Sequence, residues 1–204
     1  MSRSSHVIVA AALVLLSMPA TEVVAQARQA GSTAMTAELR AAKTGLDKYR
    51  DPLVAVADGF LSTVGCMEYP KGVTEGHLSY KAGAMGVHFV NMANVGKPLS
   101  PDKPQVLIYE PRGDGLELVA AEWFVPAEMV KGPKPQIFGK DLEGPMSGHK
   151  PILPEGLIHY DLHVWLWRDN PNGIFHSTNP AVKCPPGARY TFTNDAPKAH
   201  QHKP

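Results

Sequence analysis

The segment from His159 to Trp167 alternates without a break over nine residues. Tyr160, Leu162, Val164 and Leu166 take one set of positions, and His159, Asp161, His163, Trp165 and Trp167 take the other. A period of two belongs to an extended strand, and the Val, Tyr and Trp content favours that backbone. A face turned to bulk water would carry Lys, Glu, Thr or Ser. Two imidazoles, a carboxylate and two indoles read instead as the lining of a cleft or small barrel. Spacing then limits what this face can bind alone. On a strand, residues i and i+2 stand about 6.5–7 Å apart, whereas i and i+4 are about 13 Å apart and do not share an ion. His159 and His163 therefore do not chelate one metal together. Asp161 can join either imidazole or orient one of them, and further ligands must come from other strands.

Two such recruits stand in apolar surroundings. His88 lies in Met85-Gly86-Val87-His88-Phe89-Val90-Asn91, and Glu122 lies in Leu118-Val119-Ala120-Ala121-Glu122-Trp123-Phe124. A buried carboxylate needs a cation, a donor or a raised pKa. With His163, these two make a His, His, Glu set suited to one divalent transition metal: zinc, iron or copper. His159 and Asp161 are the candidate catalytic pair, with Asp161 orienting a histidine that works as general acid or base near neutral pH. Trp123, Trp165, Trp167 and His149 are the candidate ligand-binding residues, His149 coming from a long loop. Each histidine also has a plain reading, as a hydrogen-bonded structural residue of a strand.

Charge and composition exclude several classes. Lys and Arg number 20 against 19 Asp and Glu, a formal charge of +1, so no global field favours nucleic acid or an anionic membrane. The 204 residues suffice for one domain with a core, and 18 Gly with 19 Pro make it rich in turns without the composition of a disordered chain. The chain contains no Walker loop, dinucleotide fingerprint, HExxH or CxxCH, so no nucleotide and no haem c is expected.

Residues 1–27 read as a secretory leader, with Arg3 before the apolar run Val7 to Leu16 and small residues at Ala25 and Ala27. That run is shorter than the roughly 20 residues of a membrane span, so no integral membrane segment is expected after cleavage. The address is periplasmic or secreted, an oxidising setting in which Cys66 and Cys184 pair by default. Closing the loop between them gives roughly 4–5 kcal/mol from chain entropy.

Residues 28–34 read as a flexible leader, 35–193 as a single globular domain and 194–204 as a disordered tail. Met35, Leu39, Ala42, Leu46 and Tyr49 form a helical stripe, and Asp51-Pro52 starts a second short helix. Strands are expected at 86–91, 105–110, 116–125, 157–167 and 190–193, the second and third joined by a hairpin at Pro111 to Gly115. Residues 126–156 hold six Pro and five Gly and show no periodicity, which marks a functional loop or a missed element. The fold class is α+β: two N-terminal helices, then a mostly antiparallel sheet or small open barrel of about five strands.

Five blocks taken together carry a resemblance: Met85 to Asn91, Leu107 to Pro111, Gly144-Pro145-Met146 with Gly148-His149, Tyr160 to Trp165, and Asn179 to Val182 before Cys184. With them the chain resembles a group of small secreted bacterial proteins of unassigned activity, over roughly residues 46–184. It departs from that group at Met92 and Asn94, where Pro and Leu are expected. The resemblance implies a bacterial exported protein and supplies no reaction. The expected function is binding or transformation of a small ligand in a His- and Trp-lined, metal-dependent pocket. The alternatives are a non-catalytic module stacking a sugar or aromatic ligand on its indoles, and an envelope interaction protein with structural histidines.

Overall fold

In the computed structural model, residues 35–75, 77–148, 153–154, 156–185 and 191–193 are described. The expected leader, the tail and His149 lie outside them. The helical stripe forms as read. Helix α1, Ala37–Leu46, begins at Thr36, whose hydroxyl accepts from the Leu39 amide, and continues as a 3₁₀ turn to Arg50. Leu39, Ala42, Leu46 and Tyr49 are buried along one side. Asp51 then caps a helical stretch of only six residues, Pro52–Ala57, its carboxylate accepting from the Leu53 amide at 2.9 Å. One helix of substantial length and this short stretch stand where a pair of helices is expected.

The strands are β1 Leu61–Tyr69, β2 Val73–Glu75, β3 Leu78–Tyr80, β4 Gly83–Val90, β5 Val106–Arg112, β6 Gly115–Pro126, β7 Gln136–Ile137, β8 Lys140–Asp141, β9 Glu143–Met146, β10 His159–Val164 and β11 Thr191–Thr193. Seven make one sheet in the order β11-β1-β4-β5-β6-β10-β9, and two ribbons, β2-β3 and β7-β8, stand apart from it. All neighbours in the sheet are antiparallel except β1 and β11. The sheet is mostly antiparallel as expected, but it has seven strands rather than about five, and it does not close into a barrel. β5 and β6 meet in a tight hairpin with Arg112 opposite Gly115. Cys66 and Cys184 are disulfide-bonded across 118 positions, tying β1 to the segment before β11.

Register assigns the two faces. Val87 pairs with Tyr109, Phe89 with Leu107, Leu107 with Ala121, and Leu162 with Trp123. These residues share the face that meets α1, where the Tyr109 hydroxyl donates to the Tyr49 carbonyl at 2.7 Å and Tyr49 packs on Phe60. His88 pairs with Ile108, Val106 with Glu122, and Glu122 with His163, so all of these point to the opposite face. Two glycines allow the close strand approaches that frame this second face. Gly86 has φ +92°, and a Cβ there would meet the Tyr109 carbonyl oxygen at 2.7 Å. Gly144, at φ +115°, brings β9 against β10, where a Cβ would meet the His159 carbonyl oxygen at 2.7 Å. No helix among the described residues is long and apolar enough to cross a membrane.

Candidate metal centre

Three strands deliver the three expected ligands to one point. His88 on β4, Glu122 on β6 and His163 on β10 are buried, and each offers a donor atom within 4.8 Å of the other two. Glu122 Oε2 lies 3.5 Å from His88 Nε2 and 3.8 Å from His163 Nε2. The two imidazoles stand edge to face, 5.8 Å between centroids at 82°. N–H···O hydrogen bonds run at roughly 2.7–3.2 Å, and both distances exceed that. Two ligands about 2.1 Å from one ion, at the tetrahedral angle, stand roughly 3.4 Å apart, which is the spacing this set approaches. Glu122 Oε2 has no hydrogen-bond partner among the described residues, a costly condition for a buried carboxylate oxygen.

Electrostatics point the same way. Burial, and then the negative charge of Asp161, hold the Glu122 carboxyl well above the usual carboxylate range. Burial and Asp161 also raise Glu143 on β9, against a hydrogen bond from the Ser177 hydroxyl that lowers it. Tyr80 is pushed up by burial first and by Asp161 second, so its phenol stays protonated. Glu122, Asp161 and Glu143 thus crowd acidity on one face, which a divalent cation would relieve.

Asp161 sits between the two histidines of its own strand, Oδ2 3.4 Å from His159 Nε2 and Oδ1 3.9 Å from His163 Nδ1. Both distances exceed the hydrogen-bond range, so Asp161 faces the two rings as a nearby negative charge, on the side of His163 turned away from Glu122. His159 is almost wholly buried. Its ring lies 4.9 Å from the Phe124 ring, and its Nδ1 is 3.2 Å from the Leu157 carbonyl oxygen. A small cavity of about 30 Å³ touches His88, Glu122, His163, His159 and Asp161, with Met67 and Met85 on its wall. That volume holds an ion with one or two waters, since a single water needs about 10–15 Å³.

Comparison with protein-family models, curated proteins and solved structures finds no match to this chain. The site is therefore read from its own chemistry.

The three indoles stand away from this centre, contrary to the expected ligand-binding role. Trp123 follows Glu122 on β6, so it faces the α1 side, where its Nε1 donates to the Ser100 carbonyl at 2.8 Å and its ring meets Phe138 edge-on. β10 ends at Val164, which releases the next residues from the alternation. Trp165 donates to the His176 carbonyl at 2.6 Å, and Trp167 donates to Asp47 at 2.9 Å. Among the described residues, none of the three lines either of the two cavities that His88 and Glu122 share. The two thioethers were missed by sequence reasoning. Met67 belongs to β1, whose alternation is broken by irregular pairing between Ser62 and Cys66 and again between Met67 and Glu68.

Proposed function

We propose that this chain is an exported bacterial protein that holds one divalent transition metal between His88, Glu122 and His163, at the base of a pocket for a small ligand. The convergence of three buried donors from three strands carries the reading. The leader at residues 1–27, the disulfide and the resemblance to small secreted bacterial proteins support a periplasmic or secreted location. Two imidazoles and one carboxylate suit zinc or iron, and the thioethers of Met67 and Met85 beside them extend the chemistry to copper.

In this reading the Asp161 carboxylate faces His163 Nδ1 and its charge favours the orientation that turns Nε2 toward the metal. When bound, the metal polarises an oxygen of the ligand as a Lewis acid. The His159–Asp161 pair stands beside the cluster, where it takes or returns a proton if the ligand is transformed.

The test is elemental analysis of protein recovered from an exporting host. One equivalent of zinc, iron or copper is expected, lost in His88→Ala and in His163→Ala while both variants keep the wild-type circular dichroism. Protein that carries no metal, and takes up none on dialysis against each of the three ions, would end this proposal.

A further inference from the structure

A second cavity, of about 230 Å³, opens onto the same cluster, and His88 and Glu122 belong to its wall as well as to that of the smaller one. Its remaining lining is almost wholly apolar. Val90 and Val106 form the floor from the sheet, Phe124 supplies an aromatic wall, and Leu157 closes one side. Met92 and Met129 stand at the rim, both exposed. Among the described residues its polar side chains stand at two places: His88 and Glu122 at the inner end, and the exposed Glu128 at the outside. No Lys or Arg among the described residues lines it.

We infer that this cavity binds a neutral monocyclic aromatic molecule bearing one hydroxyl group, with the ring among the apolar side chains and the oxygen toward His88 and Glu122. The inference rests on the proposed metal centre and assigns a ligand class to it. Volume sets the size: a dry apolar cavity of roughly 150 Å³ accommodates benzene, so 230 Å³ takes a benzene ring with a few further heavy atoms and lies below the roughly 300 Å³ at which drug-sized pockets begin. Lining sets the shape. A phenyl ring and two thioethers favour a flat aromatic face, since sulfur packs well at ring edges and aromatic rings pair with one another. Charge sets the polar end. Glu122 and Asp161 together already balance the charge of a bound dication, so Glu128 at the mouth disfavours a further carboxylate, and no Lys or Arg among the described residues lines the cavity to offset it. A single hydroxyl at the inner end meets His88 and Glu122, the polar side chains that the described residues place there, and a second polar group elsewhere on the ring would be buried against Val90 and Val106.

The experiment uses the zinc-loaded full chain with 4-fluorophenol as the probe, followed by fluorine NMR, and metal content is measured on the same samples. Saturable binding is expected, with 4-fluorobenzoate at least tenfold weaker. Val90→Phe fills the floor without altering His88, Glu122 or His163, and Met129→Trp narrows the rim from an exposed position. Each is expected to weaken 4-fluorophenol at least tenfold while the metal content stays at one equivalent, and the rim variant keeps the test valid should the floor variant fold poorly. Full metal content with no saturable 4-fluorophenol binding, equal affinity for 4-fluorobenzoate, or unchanged affinity in the folded variants overturns the cavity proposal alone. A chain that takes up no zinc overturns the metal reading and this inference with it.

Discussion

Replacing Glu122 by Gln removes one charge and keeps the shape, and its effect should change sign with the metal. Glu122 is 4% exposed, and its folded-state carboxyl is raised by burial and by Asp161. In the metal-free protein the native state therefore holds a proton that the unfolded chain releases above about pH 4.3. Between that value and the higher folded one, the native state binds more protons than the unfolded state. Stability consequently falls as pH rises through the window, by at most about 1.4 kcal/mol per pH unit. Gln carries no such dependence. At pH 8, Glu122→Gln should stabilise the metal-free protein by up to about 1.4 kcal/mol for each pH unit by which burial and Asp161 hold the folded carboxyl above the unfolded one, and the gain should shrink toward pH 5. Zinc reverses the order. At a hundredfold excess over Kd, an ion that binds only the native state adds about 2.7 kcal/mol, or roughly 5–10 °C in Tm for a domain of this size. The wild type should gain that shift, and Glu122→Gln should lose most of it. Urea denaturation at pH 5 and pH 8, with zinc and with chelator, reads all four states. A variant that is destabilised equally at both pH values without metal would identify Glu122 as a structural acceptor and refute the argument. So would a variant whose urea midpoint rises with zinc as far as the wild type's.

Asp161→Asn should lower metal affinity about 10–100-fold, because Asn replaces the carboxylate facing His163 Nδ1; competition with a colorimetric zinc chelator measures it, and affinity within twofold of wild type would remove Asp161 from the centre. Replacing Cys66 and Cys184 together by Ala should cost about 2–5 kcal/mol in denaturant, since the bond closes a span of 118 residues; an unchanged midpoint would show that it adds no stability. Trp123→Phe loses the hydrogen bond to the Ser100 carbonyl and should destabilise by about 1–3 kcal/mol with full metal content retained; loss of metal would contradict the assignment of Trp123 to the α1 side of the sheet.

The site was more legible than the sheet around it. Alternation at 159–164 is a strictly local property, so His159, Asp161 and His163 share a face in the sequence and in the structure alike. A lone acid in an apolar run and a lone histidine in another were conspicuous because burial makes such residues expensive without a partner. The same period of two also contained a correction that the composition of the segment obscured. Glu122 and Trp123 are consecutive on a strand, so they cannot face one pocket, and an aromatic side chain near an acid was read as a lining it could not join. Trp165 and Trp167 needed knowledge that alternation does not contain, namely that the strand stops at Val164. β1 was hidden for another reason. Its register shifts twice against β4, so its side chains do not present a regular period. β9 was concealed in the Pro- and Gly-rich stretch, where Gly144 makes close pairing with β10 possible and a propensity reading sees only a turn.

The placement of His88 adds a condition that no single strand explains. β5 separates β4 from β6, and two strand spacings put their backbones about 9.5 Å apart. For His88 Nε2 to stand 3.5 Å from Glu122 Oε2, both side chains must lean across β5, and what β5 offers beneath them decides whether they can. It presents Ile108 opposite His88 and Val106 opposite Glu122, two branched aliphatic residues without a hydrogen-bonding group. A polar residue at either position would give the acid or the imidazole a local partner and draw it away from the other. The aliphatic pair leaves the imidazole and the carboxylate to meet one another, while Val106 continues into the apolar cavity as its floor. The same β5 side chain therefore shields the cluster from below and shapes the space in front of it. The donor set and the apolar pocket are coupled through the sheet, so a substitution that enlarges Val106 should disturb both at once, whereas one at Val90 should reach the pocket alone.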